Sequence, residues 1–160
     1  MPQVTGGTPL APAAPRRFAS FGERCGSAIV DGILLMVLVF PALFILGVLL
    51  RIAGDVVGMP EKGILLVVKL SKIALVVLVR WLYFAGCESS SWQGTMGKRV
   101  VGIGVTDLDG QRISFGRATA RFFSKYISLI GLGFGYWSVL WDPRSQGWHD
   151  RIADTLVLKK

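Results

Sequence analysis

Two long runs of apolar residues dominate the pattern of the chain. The first covers about 24–50 and, past Arg24, holds one charged residue, Asp31. The second covers about 63–86 and carries three basic residues, Lys69, Lys72 and Arg80. Each run is long enough for a helix that crosses the roughly 30 Å hydrocarbon core of a bilayer. The pattern therefore predicts two transmembrane helices, joined by a short loop.

After the second run the pattern changes to that of strands and turns. Val100–Val105 alternates Val or Ile with Gly, and Asp107–Gly110 has the composition of a turn. Gln111–Ser114 can return as a second strand, so the segment predicts a β-hairpin over about 100–114. Ser114 can also cap a helix that begins at Phe115.

A third apolar segment covers about 122–141 and is weaker than the first two. Lys125 lies inside it, and glycines at 131, 133 and 135 interrupt it. It is either a full span or a re-entrant or interfacial pair of helices. We favour the re-entrant arrangement, because it leaves the predicted C-terminal strand (about 154–159) beside the hairpin. A hairpin alone is marginal, and a third strand would stabilise it.

The N-terminal residues 1–17 differ in composition from the rest. They are rich in Pro, Gly and Ala, which predicts a disordered tail. The apolar run that follows begins too late and is too long for a cleaved signal peptide, so we expect a retained helix. Residues 18–160 then form one membrane domain, and the fold class is that of an α-helical membrane protein.

Composition and charge agree with a membrane location. The chain is 52% hydrophobic and 18% charged, with a formal net charge of +8. Because the basic residues flank the apolar runs, we expect the bilayer and anionic lipid headgroups as partners, and no nucleic acid. The positive-inside rule places the N-terminus and the hairpin in the cytoplasm of a multi-pass plasma-membrane protein. A homo-oligomer or another membrane protein is a further expected partner.

Asp31 is the strongest candidate for a functional residue. A carboxylate in the membrane costs at least about 2.5 kcal/mol unless it is paired or protonated. In an antiparallel helix pair, Arg80 lies at the same depth and is the expected partner. The pair is either a structural lock or a proton or cation relay. Lys69 and Lys72 share a face with Arg80, and they either snorkel to the surface or line a water-filled path.

His149 and Asp150 are the other candidates. His149 is the only histidine, but no nucleophile or metal-ligand spacing accompanies it. We therefore expect no catalytic site, no metal and no cofactor. The simplest interpretation is a helix-start or turn device in which Asp150 caps a helix or pairs with an arginine.

Several motifs in order resemble those of the RDD family of small membrane proteins, named for an arginine and two aspartates. They are Arg24-x6-Asp31, Gly94-Thr95-Met96-Gly97-Lys98-Arg99, Asp107-Leu108-Asp109-Gly110 and His149-Asp150-Arg151-Ile152-Ala153. The resemblance covers about 18–158 and implies Arg24, Asp31 and Asp150 as signature residues. Asp154 departs from the family pattern, which usually has Gly before Thr155. Some members are suspected of transport or of cation/proton exchange.

Two functions follow as hypotheses. In the first, an oligomer transports a cation, proton or small solute, with Asp31 as the titrating group. In the second, the chain is an accessory or scaffold protein whose basic cytoplasmic hairpin docks a partner protein or anionic lipid. An enzyme is not expected.

Overall fold

The fold is mostly helical, with one small antiparallel sheet. It is given by a computed structural model that describes residues 17–130 and 134–160. All but the last residue of the predicted tail lies outside the described residues, as do the first two glycines of the third apolar segment.

The first helix, α1, runs over Phe21–Val57 and is longer than the predicted 24–50. Its 37 residues span about 55 Å at 1.5 Å per residue, well beyond the bilayer core. It begins at Ser20, which forms a capping box with Glu23, and it ends at Gly58, whose φ of 72° suits glycine. Two transmembrane helices were predicted, but α1 is the one helix among the described residues that is long and apolar enough to cross a membrane.

The second helix, α2, runs over Glu61–Ser89 and returns antiparallel to α1. The two helices approach closely where Gly54 faces Ile64, since a Cβ at Gly54 would lie 2.6 Å from Ile64 Cγ1. Their outward faces expose large apolar side chains, with Phe44 of α1 66% and Leu66 of α2 57% accessible. An apolar surface this extensive requires lipid rather than water around it, which agrees with a membrane protein.

The predicted hairpin over 100–114 is wrong. Its first part belongs to a short helix, α3 (Met96–Val101), which Thr95 caps and which ends at Gly102 with φ 77°. The strand that follows, β1 (Ile103–Asp107), pairs antiparallel with the C-terminal strand β2 (Thr155–Lys159). A turn does follow Asp107, whose carboxylate accepts from two backbone amides, but no strand returns from it.

The sheet brings the segment just before α1 beside the C-terminal strand. The backbone N–H of Ala19 donates to the carbonyl of Val157 at 2.8 Å, and that of Lys159 donates to the carbonyl of Arg17 at 2.9 Å. The segment just before α1 therefore pairs with β2 on the edge opposite to β1. It also follows that the start of α1 and the C-terminal strand lie at the same end of the helix pair.

The third apolar segment contributes to helices on both sides of residues 131–133, which lie outside the described residues. Before them, α4 runs over Phe115–Ile130, and the Ser114 hydroxyl accepts from the N–H of Arg117 as expected for a cap. After them come α5 (Phe134–Trp137) and a 3-10 helix (Ser138–Leu140). Beyond the segment, α6 runs over Trp148–Ile152. The choice between a full span and a re-entrant or interfacial pair of helices stays a prediction.

A small core holds these elements against the end of α2. It is formed by Ala19, Ala85, Ile103, Val105, Ile113, Ala118 and Val157. Trp81 of α2 packs on it and donates from its indole nitrogen to the Thr119 hydroxyl at 3.0 Å. We call α3, β1, α4, α6 and β2 together the base. The base fixes the positions of the charged side chains described below.

Residue 154, where the sequence departs from the family pattern, lies in the turn before β2. Asp154 has φ 49°, a left-handed conformation that favours glycine. Its carboxylate lies 3.8 Å from Arg117 at an exposed site, where an ion pair contributes little. We expect Asp154→Gly to raise the free energy of unfolding by about 0.5–1 kcal/mol and Asp154→Val to lower it by about 1–2 kcal/mol. Denaturant titration in detergent micelles measures both, and equal stability of the two variants would contradict the assignment.

Candidate functional site

A buried network of ion pairs lies where the base meets the helix pair. Arg121 of α4 stands between two carboxylates: its Nη2 lies 2.6 Å from Asp150 Oδ1, and its Nη1 donates to Glu88 Oε2 at 2.8 Å. Arg24 of α1 donates from Nη1 to Asp150 Oδ2 at 2.6 Å. Lys98 of α3 pairs with Glu88 Oε1. These five side chains, which we call the ion network, join α1, α2, α3, α4 and α6.

The ion network is almost free of solvent. Arg121 is 2% exposed, Glu88 1% and Asp150 0%. Burial alone would raise the pKa of Asp150, but the guanidinium of Arg121 and the other nearby positive charges hold that pKa well below its usual range. Burial lowers the pKa of Lys98, an effect that the Glu88 carboxylate opposes. A network this deep is stable only while every charge keeps its partner.

Local chain geometry sets the positions of Asp150 and Arg24. Asp150 lies in the first turn of α6, where its Oδ2 also accepts from the N–H of Gly147 at 3.1 Å. Asp150 thus both caps a helix and pairs with arginines, as the sequence predicted. Arg24 reaches back from α1 and donates from Nη2 to the carbonyl of Ser145 at 2.7 Å. Its Nε is buried and has no hydrogen-bond partner within the described residues.

Asp31 is held by three donors rather than by Arg80. Its Oδ1 accepts from the Tyr83 hydroxyl at 2.7 Å and from the N–H of Gly97 at 2.8 Å. Its Oδ2 accepts from the Thr95 hydroxyl at 2.5 Å. Gly97 permits this contact, since a Cβ there would lie 2.1 Å from the carbonyl oxygen of Ser27. Asp31 therefore ties α1 to α2 and α3.

The expected Asp31–Arg80 ion pair does not form in the described part of the chain. Tyr83, one turn closer to the base than Arg80, takes the position beside the Asp31 carboxylate. Arg80 is exposed and has neither a hydrogen bond nor an ion pair to any described residue. Lys69 is also exposed, whereas Lys72 is half-buried with its ammonium against Gly47 of α1. The three basic residues of α2 thus have different surroundings.

A cavity of about 240 Å³ opens beside the ion network. Among the described residues, its lining holds five basic side chains and one acidic side chain, Asp31. The basic ones are Arg24, Arg80, Lys98, Arg121 and Lys125. Burial lowers the pKa of Lys125 to about 7, but the other four basic side chains still outnumber the three carboxylates of Asp31, Glu88 and Asp150. The interior of the cavity is therefore electropositive.

An apolar groove of about 330 Å³ continues from this cavity between α1 and α2. The cavity and the groove share three lining residues, Ala28, Arg80 and Phe84. The remaining lining of the groove is apolar and comprises Gly32, Leu35, Met36, Val39, Phe40, Leu43 and Val76. Arg80 thus stands at the junction of a charged space and an apolar one.

His149 borders the cavity but is buried in the base. Its Nδ1 lies 3.4 Å from the Ser128 hydroxyl, and its Nε2 lies 3.5 Å from Asp150 Oδ1. Burial lowers the pKa of His149 from 6.5 to about 3, and the opposing effect of Asp150 is smaller. The ring is therefore neutral at physiological pH. No group of three or more potential metal-ligating side chains occurs in 17–130 or 134–160.

The lowered pKa of His149 predicts acid sensitivity. Between pH 6.5 and about 3 the unfolded chain binds a proton at this ring that the folded chain does not, so stability falls as the pH falls below 6.5. We expect a loss of up to about 1.4 kcal/mol per pH unit in that window. Thermal unfolding in detergent at about pH 7 and about pH 4.5 measures it. His149→Asn should remove most of this slope, and an unchanged slope would refute the prediction.

The sequence found only part of this site. It selected Arg24 and Asp150 without predicting the ion pair between them, and it predicted the wrong partner for the Asp31 carboxylate. It did not assign a role to Glu88, Lys98 or Arg121. One signal was available: each of these three charges lies directly beside an apolar or glycine-rich stretch, where a buried charge needs a partner.

Comparison with known proteins identifies the family of the chain. A family model described as RDD family matches residues 18–154, most of the chain. The chain belongs to the RDD family. It is also similar to "Uncharacterized protein YxaI" of Bacillus subtilis (strain 168), with 29% identity over 149 residues, which cover 89% of this chain and 97% of that protein. No solved structure matches the chain.

The structure shows how the three residues that the resemblance implies as signature residues are arranged. Arg24 and Asp150 are 126 positions apart in sequence and form a direct ion pair. Asp31 lies two helical turns beyond Arg24 on α1 and holds α3 instead. In this RDD protein, each of the three residues joins α1 to a segment distant in sequence.

Proposed function

We propose that this RDD protein is a multi-pass plasma-membrane protein that acts as an accessory protein by binding an anion at the cytoplasmic face. The observation that carries the proposal is the electropositive cavity beside the ion network. Among the described residues, five basic side chains and one acidic side chain line it, so it attracts anions and repels cations. This differs from the predicted docking by a basic hairpin, since the basic residues line a cavity rather than a hairpin.

The orientation in the membrane is supported by the distribution of charge. Residues 98–160 hold ten of the 18 Lys and Arg residues, and the base lies at the end of the helix pair that holds the start of α1 and the C-terminal strand. The positive-inside rule then places the base and both termini in the cytoplasm. A reporter that is active only in the cytoplasm, fused after Lys160, should be active. An inactive fusion would show that the third apolar segment spans the bilayer.

Anion binding is tested by a pair of charge variants. Arg80→Gln removes an exposed, unpaired cation from the cavity, and Lys69→Gln removes one from the same helix outside it. Inorganic phosphate should raise the midpoint of thermal unfolding of the detergent-solubilised protein more than chloride at equal ionic strength. Arg80→Gln should weaken this effect, and Lys69→Gln should not. Equal effects of phosphate and chloride on the wild-type protein would refute anion binding.

Transport is a second candidate function, favoured by one observation. Lys72 places an ammonium group against Gly47, deep along the helix pair, and Arg80 lies two turns away on the same helix. In an oligomer these cations would suit an anionic solute better than a cation. Flux into proteoliposomes tests it. If Asp31 is a proton relay, Asp31→Asn should abolish a proton-coupled flux. Unchanged flux would show that Asp31 has a structural role and is not a relay.

A further inference from the structure

We infer that the anion is the phosphate of an anionic membrane phospholipid, with one acyl chain lying in the apolar groove between α1 and α2. This inference rests on the proposed function and identifies the class of ligand. Its basis is the connection between a charged cavity and an apolar groove. The electropositive cavity and the apolar groove meet at Ala28, Arg80 and Phe84. A ligand that fills both must have a charged end and an apolar end.

The charged end is matched by side chains with unused donors. Arg24 lines the cavity and its buried Nε lacks a hydrogen-bond partner within the described residues. Arg80 lines it too, with no hydrogen bond or ion pair to the described chain. Guanidinium groups bind phosphate oxygens through directed, charge-assisted hydrogen bonds. An anionic headgroup here would also offset the excess of cations over carboxylates around the cavity.

The apolar end is matched by the shape of the groove. From Ala28 to Leu43 it follows α1 for 15 residues, about 22 Å. One leaflet of a bilayer contributes about 15 Å of hydrocarbon, so the groove is long enough for an acyl chain. Gly32 keeps it open, since no atom lies within 4 Å of the position that a Cβ would take there. A free phosphate ion would leave this groove unused.

The test compares three ligands on the full-length protein in detergent micelles. They are dioleoylphosphatidylglycerol, which has both parts; dioleoylphosphatidylcholine, which lacks the net negative charge; and inorganic phosphate, which lacks the chain. Binding is followed by thermal unfolding and by native mass spectrometry. We expect the phosphatidylglycerol to bind at least about tenfold more tightly than either of the others.

Two variants locate the site, each with a matched control. Gly32→Leu should block the groove and weaken binding of the phosphatidylglycerol about tenfold, whereas Gly22→Leu, on the same helix outside both spaces, should not. Arg80→Gln should weaken it similarly, and Lys69→Gln should not. Each variant keeps the ion network, so folding is expected to be retained.

The outcomes separate this inference from the proposed function. If phosphate binds as tightly as the phosphatidylglycerol and Gly32→Leu has no effect, the lipid is refuted and anion binding stands. If the phosphatidylcholine binds as tightly as the phosphatidylglycerol, the charge selectivity of the site is refuted. If none of the three binds, both the inference and the proposed function fail.

Discussion

Replacing Arg121 by methionine is expected to destabilise the protein by about 3–5 kcal/mol. Arg121 is the shared partner of Glu88 and Asp150, and all three side chains are buried. Methionine fills much of the same space but leaves two buried carboxylates short of a positive charge, which is the costly way to break an ion network. Denaturant titration of the detergent-solubilised protein measures the change in the free energy of unfolding.

Arg117 provides the matched control for this prediction. It lies one turn earlier on α4, is 42% exposed, and its ion pairs with Asp107 and Asp154 are 4.0 Å and 3.8 Å long. Arg117→Met should therefore cost less than about 1 kcal/mol. Similar losses for the two variants would mean that the ion network contributes no more than a surface pair.

Gly97→Ala is the second substitution expected to have a large effect. A Cβ at Gly97 would lie 2.1 Å from the carbonyl oxygen of Ser27 and 2.8 Å from Asp31 Cγ. Neither atom can move away without separating α1 from α3 and breaking the hydrogen bond from Gly97 to Asp31. Overpacking of this kind costs about 1–3 kcal/mol, and the lost hydrogen bond to a buried carboxylate adds about 1.5–3 kcal/mol.

A glycine elsewhere should respond in the opposite direction. Gly86 is inside α2, and no atom lies within 4 Å of the position of its Cβ. Gly86→Ala should raise the free energy of unfolding by about 0.5–1 kcal/mol, because alanine is the better helix former. If Gly97→Ala were as stable as Gly86→Ala, the close approach of α3 to α1 would be contradicted.

The helices could be predicted because their signals are local. Hydropathy alone located most of α1 and α2, and the cap at Ser114 followed from the residue type. The ends extended further than predicted, since hydropathy detects the part of a helix in lipid and not the turns beyond it. The capping box at Ser20 and the left-handed Gly58 set the true bounds of α1.

The sheet and the site depend on contacts that sequence order does not reveal. Two strand-like segments with a turn between them predict a hairpin, but β1 pairs with a strand about 50 residues away. The partner of Asp31 was also predicted wrongly. Its expected depth in the membrane suggested Arg80, whereas the Tyr83 hydroxyl and the backbone of α3 contact its carboxylate. The strand that pairs with β1 and the groups that bind Asp31 are decided by packing of the whole domain.

Arg24, Asp31 and Asp150 have a structural role, and the cavity has a proposed binding role. Arg24 and Asp150 join the first helix to the last one, and Asp31 fastens the same helix to α3. The network holds more basic than acidic groups around the cavity, and that imbalance is what an anionic ligand would use. The ion network and the proposed binding site thus share residues.

A double-mutant cycle between Arg24 and Asp150 tests the central claim most directly. The free energy of unfolding is measured for the wild type, Arg24→Gln, Asp150→Asn and the double variant in the same detergent. For a buried pair with a 2.6 Å contact, we predict a coupling energy of at least about 1.5 kcal/mol. Additivity of the two substitutions within about 0.5 kcal/mol would show that the signature residues do not act on each other, and would contradict the account.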